Sequence, residues 1–214
     1  MGPLRGCRWI AGSSVHSCWI GLYEWEKARL LARTLKPGMV FFDVGANVGY
    51  FTLLASRLVG PTGRIFAFEP LRRNLTYLRR HIAMHNLENV TVVEVAVSDS
   101  EGFATFDPGS NASSGRLSQQ GSVHVQTVSL DKEISAGRLP VPDILKIDVE
   151  GAEVQVLDGL KKTLETARPK VCLDIHSFLG PSFVHLDRDC KDIMAEHGYC
   201  HRQLGRHDIY AWSQ

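Results

Sequence analysis

The chain has 214 residues, of which 44% are hydrophobic and 22% charged, and its formal net charge is +1. This length and composition are those of an ordinary globular protein with one substantial core, which needs no disulfide staples. The near-zero charge gives no reason to expect a nucleic acid or an anionic membrane as a partner.

The cysteines and the apolar runs bear on the compartment of the chain. Its five cysteines are scattered, and no two have the CxxC spacing of a zinc or redox site, which favours a reducing compartment. No run approaches the ~18 apolar residues of a membrane span, and the N-terminus lacks the pattern of a secretory signal. We therefore expect a cytoplasmic protein with no membrane span. The sequence leaves its oligomeric state open.

Strands and helices alternate through the first half of the sequence. Apolar side chains recur at helical spacing over residues 23–35, and Pro37-Gly38 ends the predicted helix. This alternation is typical of an α/β fold with a mainly parallel sheet. The next predicted elements are buried strands at 39–44, 64–68 and 90–95, with helices at 50–59 and 71–85.

The pattern changes in the middle of the chain and then resumes. Residues 102–106 and 123–128 alternate like paired antiparallel strands, and the polar stretch 107–122 between them is predicted to be a mobile surface loop. We expect one domain with a small β-hairpin insertion, in which residues 1–36 are an N-terminal cap region and 37–214 the catalytic core. The remaining predicted elements are a strand at 144–147, a helix at 152–166, a strand at 170–175, a helix at 184–197 and a closing antiparallel pair at 200–204 and 208–212.

A loop with two glycines follows the first predicted strand and leads into a helix. Glycine tolerates positive φ and lets the backbone approach a ligand, and the helix N-terminus offers unpaired N–H groups. Glu69 ends the next strand, where a carboxylate accepts hydrogen bonds from both ribose hydroxyls of an adenosine. Asp43 is a candidate to receive a cationic end of the same ligand, directly or through water. The loop is Asp43-Val44-Gly45-Ala46-Asn47-Val48-Gly49.

Two alternative roles for this loop remain open. A dinucleotide-binding protein also has a glycine-rich turn and a ribose carboxylate, but its fingerprint is G-x-G-x-x-G. Asn47 stands where that fingerprint has its second glycine, and this leaves less room for a pyrophosphate. The second alternative is an ordinary turn with chance glycines, which the strand–loop–helix context and Glu69 disfavour.

Three blocks in this order resemble the FkbM family of methyltransferases, from about residue 21 to residue 176. The sequence departs from the family at His81, where asparagine is common. The blocks are Phe42-Asp43-Val44-Gly45-Ala46-Asn47-Val48-Gly49-Tyr50-Phe51-Thr52, Phe66-Ala67-Phe68-Glu69-Pro70 and Leu145-Lys146-Ile147-Asp148-Val149-Glu150-Gly151-Ala152-Glu153.

The resemblance implies a class I methyltransferase fold, with a seven-stranded sheet in which six strands are parallel and the last is reversed. It implies that S-adenosylmethionine binds at the 43–49 loop, Ala46 and Asn47 included, with Glu69 and the adjoining Pro70 at the ribose and with Ala96 and Val97 against the adenine. It also implies that residues 146–150 line the place of methyl transfer. Members of the family commonly methylate hydroxyl oxygens, often on sugars or other natural products.

Acidic residues stand where the later strands end. Asp148 and Glu150 follow the strand at 144–147, and alternation places Lys146 on the same side of an extended segment. Such a carboxylate can bind the methionine ammonium or the substrate hydroxyl, since ligands bind at this end of the sheet. The alternative is that Lys146 and Asp148 only pair with each other at the strand end.

The next strand ends in Asp174 and His176, which alternation again places on one side. His176 is the preferred general base because its ordinary pKa lies near working pH. A role in which His176 only satisfies a loop hydrogen bond fits the sequence almost as well. Alternatively, Asp148, Asp174 and His176 together hold a divalent metal that acidifies a bound hydroxyl.

The sequence thus predicts an S-adenosylmethionine-dependent O-methyltransferase that acts on a small-molecule or glycan hydroxyl, with no nucleic-acid partner. A protein or RNA acceptor, a non-catalytic binding module of the same fold and an NAD-dependent oxidoreductase are the alternatives. Trp19, Tyr23 and Trp25 either cap the substrate pocket or anchor the core.

Overall fold

A computed structural model of the protein describes residues 4–15, 17–18, 23–107, 116–117 and 121–213. Helices and strands alternate through its first half, as predicted. In chain order they are α1 (Trp25–Thr34), β1 (Val40–Val44), α2 (Tyr50–Val59), β2 (Arg64–Phe68), α3 (Arg72–Met84), β3 (Val90–Val93), β4 (Ala96–Val97), β5 (Gly102–Asp107), β6 (Arg116–Leu117) and β7 (Val123–Val128).

The second half resumes the alternation after a helix that the sequence did not predict, α4. None of the described helices is both long and apolar enough to cross a membrane. The elements are α4 (Leu130–Ser135), β8 (Ile144–Ile147), α5 (Glu153–Asp158), α6 (Lys161–Thr166), β9 (Lys170–Asp174), a 3₁₀ turn (Pro181–Phe183), α7 (Leu186–Glu196), β10 (Tyr199–Gln203) and β11 (Asp208–Ser213).

The main sheet has seven strands in the order β10–β11–β9–β8–β1–β2–β3. The pairs from β9 through to β3 are parallel, whereas β11 runs antiparallel to both of its neighbours. The predicted α/β fold, with a mostly parallel sheet and a reversed last strand, is therefore confirmed. The carboxyl ends of β1, β2, β8 and β9 meet at one edge of this sheet, which is where such sheets bind ligands.

Strand alternation sends neighbouring side chains into cores on opposite faces of the sheet. Phe42 and Leu145 belong to the larger core, under α5–α7, while Phe41 and Ile144 belong to the core under α1 and α2. Helices thus cover both faces, which is why these strands are nearly continuous apolar runs.

A second sheet has four strands in the order β4–β7–β5–β6. The antiparallel pairing of β5 with β7 confirms the predicted hairpin strands, and β4 adds to β7 in parallel. The stretch 107–122 is not wholly a loop, because β6 pairs with the end of β5. Most of the remainder of that stretch lies outside the described residues.

The predicted helix over 152–166 is wrong in one respect, because the structure divides it into α5 and α6 at Gly159. A Cβ on Gly159 would lie 2.1 Å from the carbonyl oxygen of Ser98, so the chain passes too close for a side chain. The carboxylate of Asp131 accepts hydrogen bonds from the N–H groups of Lys162 and Thr163, at 2.8 and 2.9 Å. These bonds cap the N-terminus of the second helix, α6.

Candidate functional site

A cavity of about 800 Å³ opens at the carboxyl edge of the main sheet. Its wall comes from the loops after β1, β2, β8 and β9, from β4, and from Tyr23 and Glu24 just before α1. Five carboxylates line the cavity: Glu24, Glu69, Asp148, Glu150 and Asp174. The described residues of the wall include no lysine or arginine, although Lys27 and Lys146 lie behind it and pair with Asp174 and Asp148. The cavity therefore suits a cationic ligand.

The loop after β1 is held tightly against its neighbours. Gly45 has a φ of +76°, and a Cβ there would lie 1.9 Å from the carbonyl oxygen of Asp148. The N–H groups of Gly45 and Ala46 both donate to the carbonyl oxygen of Phe68, at 3.1 and 2.9 Å. Gly49 has a φ of +96°, and a Cβ there would meet Leu78 at 2.6 Å. Both predicted loop glycines therefore occupy positions that exclude a side chain.

Glu69 connects the loops that follow β1 and β2. One of its carboxylate oxygens accepts a hydrogen bond from the N–H of Asn47 at 2.8 Å, and the other from the N–H of Leu71 at 2.9 Å. Burial raises the pKa of Glu69 to about 7, although these two hydrogen bonds act against the rise. The side chain of Asn74 also donates a hydrogen bond to this carboxylate, which leaves only part of its acceptor capacity for ligand hydroxyls. Pro70, Ala96 and Val97 line the same cavity.

Asp43 lies behind the cavity wall. It is 0% exposed, accepts a hydrogen bond from the Thr52 hydroxyl at 2.6 Å, and lies 3.3 Å from the ammonium of Lys146. Its predicted direct contact with a cationic ligand does not fit this position. Lys146, which pairs with Asp43, donates to the carbonyl oxygen of Gly45 at 2.8 Å and so connects this buried carboxylate with the loop.

Lys146 is a buried cation that joins the loops after β1 and β8. Besides its contacts with Asp43 and Gly45, its ammonium lies 3.3 Å from the carboxylate of Asp148, which is the pairing that the sequence offered as an alternative. Burial lowers the pKa of this lysine, but the charges of Asp148 and Asp43 outweigh burial and raise it above its ordinary value. A lysine in this state keeps its proton at neutral pH and is therefore not a candidate general base.

Asp148 and Glu150 approach the ring of His176 from the loop after β8. The Nε2 atom of His176 lies 3.7 Å from Asp148 and 3.5 Å from Glu150. The extended geometry predicted for this segment ends at Ile147, and Glu150 has a φ of +53°. A backbone turn, and not strand alternation, thus brings the Glu150 carboxylate to the histidine.

The charges of these acids are set by burial and by their neighbours. Burial raises the pKa of Asp148, but Lys146, Lys27 and His176 outweigh it and lower the pKa to about 2. Burial raises the pKa of Glu150 to about 7 against the opposing charge of His176. Asp148 is therefore a permanent anion near neutral pH, whereas Glu150 exchanges its proton there.

His176 is held by Glu153, a residue to which the sequence assigned no role. The Nδ1–H of His176 donates to the Glu153 carboxylate at 2.7 Å, and the N–H of Gly151 donates to the same oxygen at 2.9 Å. Burial lowers the pKa of His176, but the hydrogen bond to Glu153 and the nearby acids raise it to about 9. The ring therefore carries a proton at neutral pH, and its ordinary pKa is no longer a reason to make His176 the base.

A second buried lysine, which the sequence did not single out, organises the other side of the cavity. The ammonium of Lys27 in α1 pairs with Glu24, with Asp174 at 3.0 Å and with Asp208 at 2.8 Å. Asp148, Asp174 and His176 do converge as predicted, with one ligand atom of each within 4.8 Å of the others. Two of these three groups already have a cation beside them, since Lys27 pairs with Asp174 and Lys146 pairs with Asp148.

The segment before α1 packs beside the loop after β1 through His81. The Nδ1–H of His81 donates to the carbonyl oxygen of Val48 at 2.8 Å, and its Nε2 accepts from the N–H of Ile10 at 3.1 Å. Trp9 stacks on the same ring, with 4.1 Å between centroids. Of the three predicted aromatic cap residues, Tyr23 lines the cavity, Trp25 is 42% exposed, and Trp19 lies outside the described residues.

Residues 43–200 match the family model described as the methyltransferase FkbM domain. The hexuronic acid methyltransferase AglP of Haloferax volcanii is 30% identical over 163 residues, covering 75% of this chain and 66% of that protein. The 2-O-methyltransferase NoeI of Sinorhizobium fredii is 31% identical over 153 residues, covering 62% of each protein. The chain thus spans less than two thirds of the length of either relative.

A solved structure shares the fold. The methyltransferase FkbM from Methylobacillus flagellatus superimposes with a TM-score of 0.56 at 17% sequence identity, covering 96% of this chain and 56% of that one.

Proposed function

The chain belongs to the FkbM family of methyltransferases, and from this premise we propose that it methylates a hydroxyl oxygen of a sugar or natural-product small molecule with S-adenosylmethionine. The observation that carries the proposal is the shared cavity. The loop at Gly45 and the ribose-type carboxylate of Glu69 line the same space as Asp148, Glu150 and His176. The similarity to a 2-O-methyltransferase supports an oxygen acceptor, and the similarity to a hexuronic acid methyltransferase supports a sugar acceptor.

The residues present fit this cofactor. S-adenosylmethionine supplies a methyl group activated by a positively charged sulfur, and the cavity wall offers five carboxylates with no lysine or arginine among its described residues. An NAD pyrophosphate is an anion and would meet these same acids, so the wall disfavours the oxidoreductase alternative.

We assign the binding roles as follows. Glu69 accepts the ribose hydroxyls, beside Pro70, while Ala96 and Val97 form the apolar surface for the adenine. The anion of Asp148 attracts the cationic methionine end, and Lys146 fixes both Asp148 and the carbonyl oxygen of Gly45. Ala46, Asn47 and Gly49 act by backbone geometry, and Asp43 acts through its ion pair with Lys146.

Proton transfer belongs to Glu150 and His176. Glu150 has a pKa near 7 and removes the proton of the acceptor hydroxyl, while protonated His176 orients the Glu150 carboxylate at 3.5 Å. Glu153 holds the ring of His176 in the tautomer that keeps a proton on Nδ1. The product of the reaction is a methyl ether.

We further propose that methyl transfer needs no divalent metal. Asp148 and Asp174, two of the three candidate ligands, are each paired with a buried lysine that already supplies positive charge. A dication would compete with both lysines and with protonated His176.

The charge of the cavity wall bears on the partner of the protein, and the state of its cysteines bears on its compartment. The acidic wall disfavours a nucleic-acid acceptor, because phosphates would face carboxylates. All five cysteines are free, which supports a reducing compartment such as the cytoplasm. We treat residues 1–36 as a cap that completes the cavity of a single domain through Tyr23 and Glu24.

The test is turnover. The purified chain is incubated with S-adenosylmethionine and a panel of methyl pyranosides and polyketide alcohols, and S-adenosylhomocysteine is measured with and without EDTA. We expect acceptor-dependent product, unaffected by EDTA, and a loss of more than about 100-fold in kcat/KM for S-adenosylmethionine in Asp148→Asn. Cofactor binding without turnover on any acceptor would favour the non-catalytic module, and inhibition by EDTA that added Mg²⁺ reverses would refute the metal-free reaction.

A further inference from the structure

An aromatic ring lies exposed beside the proposed proton-transfer group. Phe178 is 58% exposed, and its ring centroid is 5.5 Å from that of His176. An aromatic ring of this size is stabilised when a ligand or another side chain buries it, and an exposed ring lacks that stabilisation. His176 is part of the cavity wall, so Phe178 adjoins the space where an acceptor hydroxyl must lie.

The ring is held in place by the surrounding backbone and by a second ring. The N–H of Leu179 donates to the carbonyl oxygen of His176 at 3.3 Å, which closes a turn around Phe178. The ring of His207 packs against Phe178, with 4.5 Å between centroids. The N–H of Ile175 donates to the carbonyl oxygen of His207 at 3.0 Å, so the end of β9 and the start of β11 are joined beneath the ring. Phe178 thus forms a fixed apolar surface.

The rest of the acceptor region is acidic. Glu24, Glu150 and Asp174 face the cavity near His176, and each offers oxygens that accept hydrogen bonds. A ligand with several hydroxyl groups can satisfy these acceptors, whereas a phenol brings one hydroxyl only. An acceptor with its own carboxylate or phosphate would add a further anion to a wall whose described residues include five carboxylates and one cation, protonated His176.

We propose that Phe178 is the stacking platform of an acceptor subsite that takes an uncharged, polyhydroxylated ring such as a neutral pyranose and rejects its anionic counterpart. The C–H groups on one face of such a ring lie against the aromatic face of Phe178, while its hydroxyls meet Glu24, Glu150 and Asp174. This inference rests on the proposed function and adds to it the residue that selects the acceptor and the charge of the acceptor.

The test measures acceptor binding to the protein saturated with S-adenosylhomocysteine. The probes are methyl β-glucopyranoside and methyl β-glucuronopyranoside. Their binding is measured by saturation-transfer NMR and by competition between the two. The variants are Phe178→Ala, Phe178→Leu and Phe178→Trp. The matched control is Phe103→Ala, since Phe103 is an 81% exposed phenylalanine on β5 in the other sheet.

We expect Phe178→Ala and Phe178→Leu to weaken binding of the glucopyranoside about tenfold, and Phe178→Trp and Phe103→Ala to preserve it. The glucuronide should bind at least about tenfold more weakly than the neutral sugar. S-adenosylhomocysteine affinity should stay unchanged in all four variants.

Unchanged sugar binding in Phe178→Ala, equal binding of the two probes, or failure of both probes to bind the loaded protein would each overturn the subsite. Failure of S-adenosylhomocysteine to bind the unmodified protein would instead overturn the proposed function on which the subsite rests.

Discussion

Single side chains behind the cavity wall determine the charge of the groups that line it. Lys146 keeps Asp148 ionised, Lys27 neutralises Asp174, and Glu153 keeps His176 protonated. The sequence predicted the acids and the histidine because they follow strands whose carboxyl ends share one edge. It could not predict the partner of Lys27, because that lysine and Asp174 are 147 positions apart and only the fold brings them together.

The pH dependence of turnover tests the assignment of Glu150 and His176. As the pH rises through about 7, Glu150 loses its proton and becomes able to act as a base, so kcat/KM should increase. As the pH rises through about 9, His176 loses the proton that orients Glu150, so kcat/KM should decrease. We therefore expect a bell-shaped profile whose two apparent pKa values belong to the coupled pair.

Glu153→Gln sharpens this test, because glutamine keeps an acceptor for the ring N–H but removes the charge that helps to raise the pKa of His176. The alkaline limb should move to lower pH. Glu133→Gln also removes one negative charge, but at a residue that pairs with Arg138 and does not line the cavity, so it should leave the profile unaltered. If kcat/KM instead rises through pH 9 and stays high, His176 is the base, as its position first suggested, and Glu150 is not.

At the scale of secondary structure, boundaries that depend on distant contacts were the least predictable. Residues 152–166 have a continuous helical pattern, yet α5 ends at Gly159 because the chain there touches Ser98. Asp131, some thirty positions away, then caps α6. By contrast, the strand at 144–147 was predicted to the residue, since its apolar run is buried throughout and its flanks are polar.

The packing of α1 against the sheet depends on Lys27. Lys27→Met leaves Glu24, Asp174 and Asp208 clustered without their cation, and we expect the free energy of unfolding at pH 7 to fall by about 3–5 kcal/mol. Burial raises the pKa of Asp174 and the charge of Lys27 lowers it, so this pKa rises further in the variant. The folded variant then binds more protons, and the loss should shrink as the pH falls towards 5. Urea denaturation at the two pH values measures both effects.

Lys132→Met provides the control, because Lys132 is an exposed lysine on α4 that pairs with Glu101 at 3.5 Å. Its removal should change the free energy of unfolding by less than about 1 kcal/mol at either pH. A Lys27→Met variant as stable as the unmodified protein, or one whose deficit is the same at pH 5, would show that the cluster does not hold α1 to the sheet.

For the whole molecule, the alternation of strands and helices was enough to predict the α/β fold, and the blocks resembling the FkbM family implied the reversed last strand. The alternation and the blocks can each be read from short, contiguous segments of the sequence. The second sheet was predicted only in its hairpin, because β4 and β6 are two residues each and owe their strand geometry to β7 and β5.

The central claim is that the loop after β1 holds S-adenosylmethionine, and calorimetric titration with S-adenosylhomocysteine tests it most directly. Gly45→Ala and Gly60→Ala form a matched pair, since both positions have positive φ, but a Cβ strikes the Asp148 carbonyl oxygen at Gly45 and meets nothing within 4 Å at Gly60. Each variant carries about 1–3 kcal/mol of local backbone strain. Their folded fractions are checked by thermal denaturation.

We expect S-adenosylhomocysteine to bind the unmodified protein and Gly60→Ala with equal affinity, Gly45→Ala more than about tenfold more weakly, and NAD to bind none of them. Equal affinity in the two folded variants would place the cofactor elsewhere, and a folded, unmodified protein that binds no S-adenosylhomocysteine would contradict the central claim.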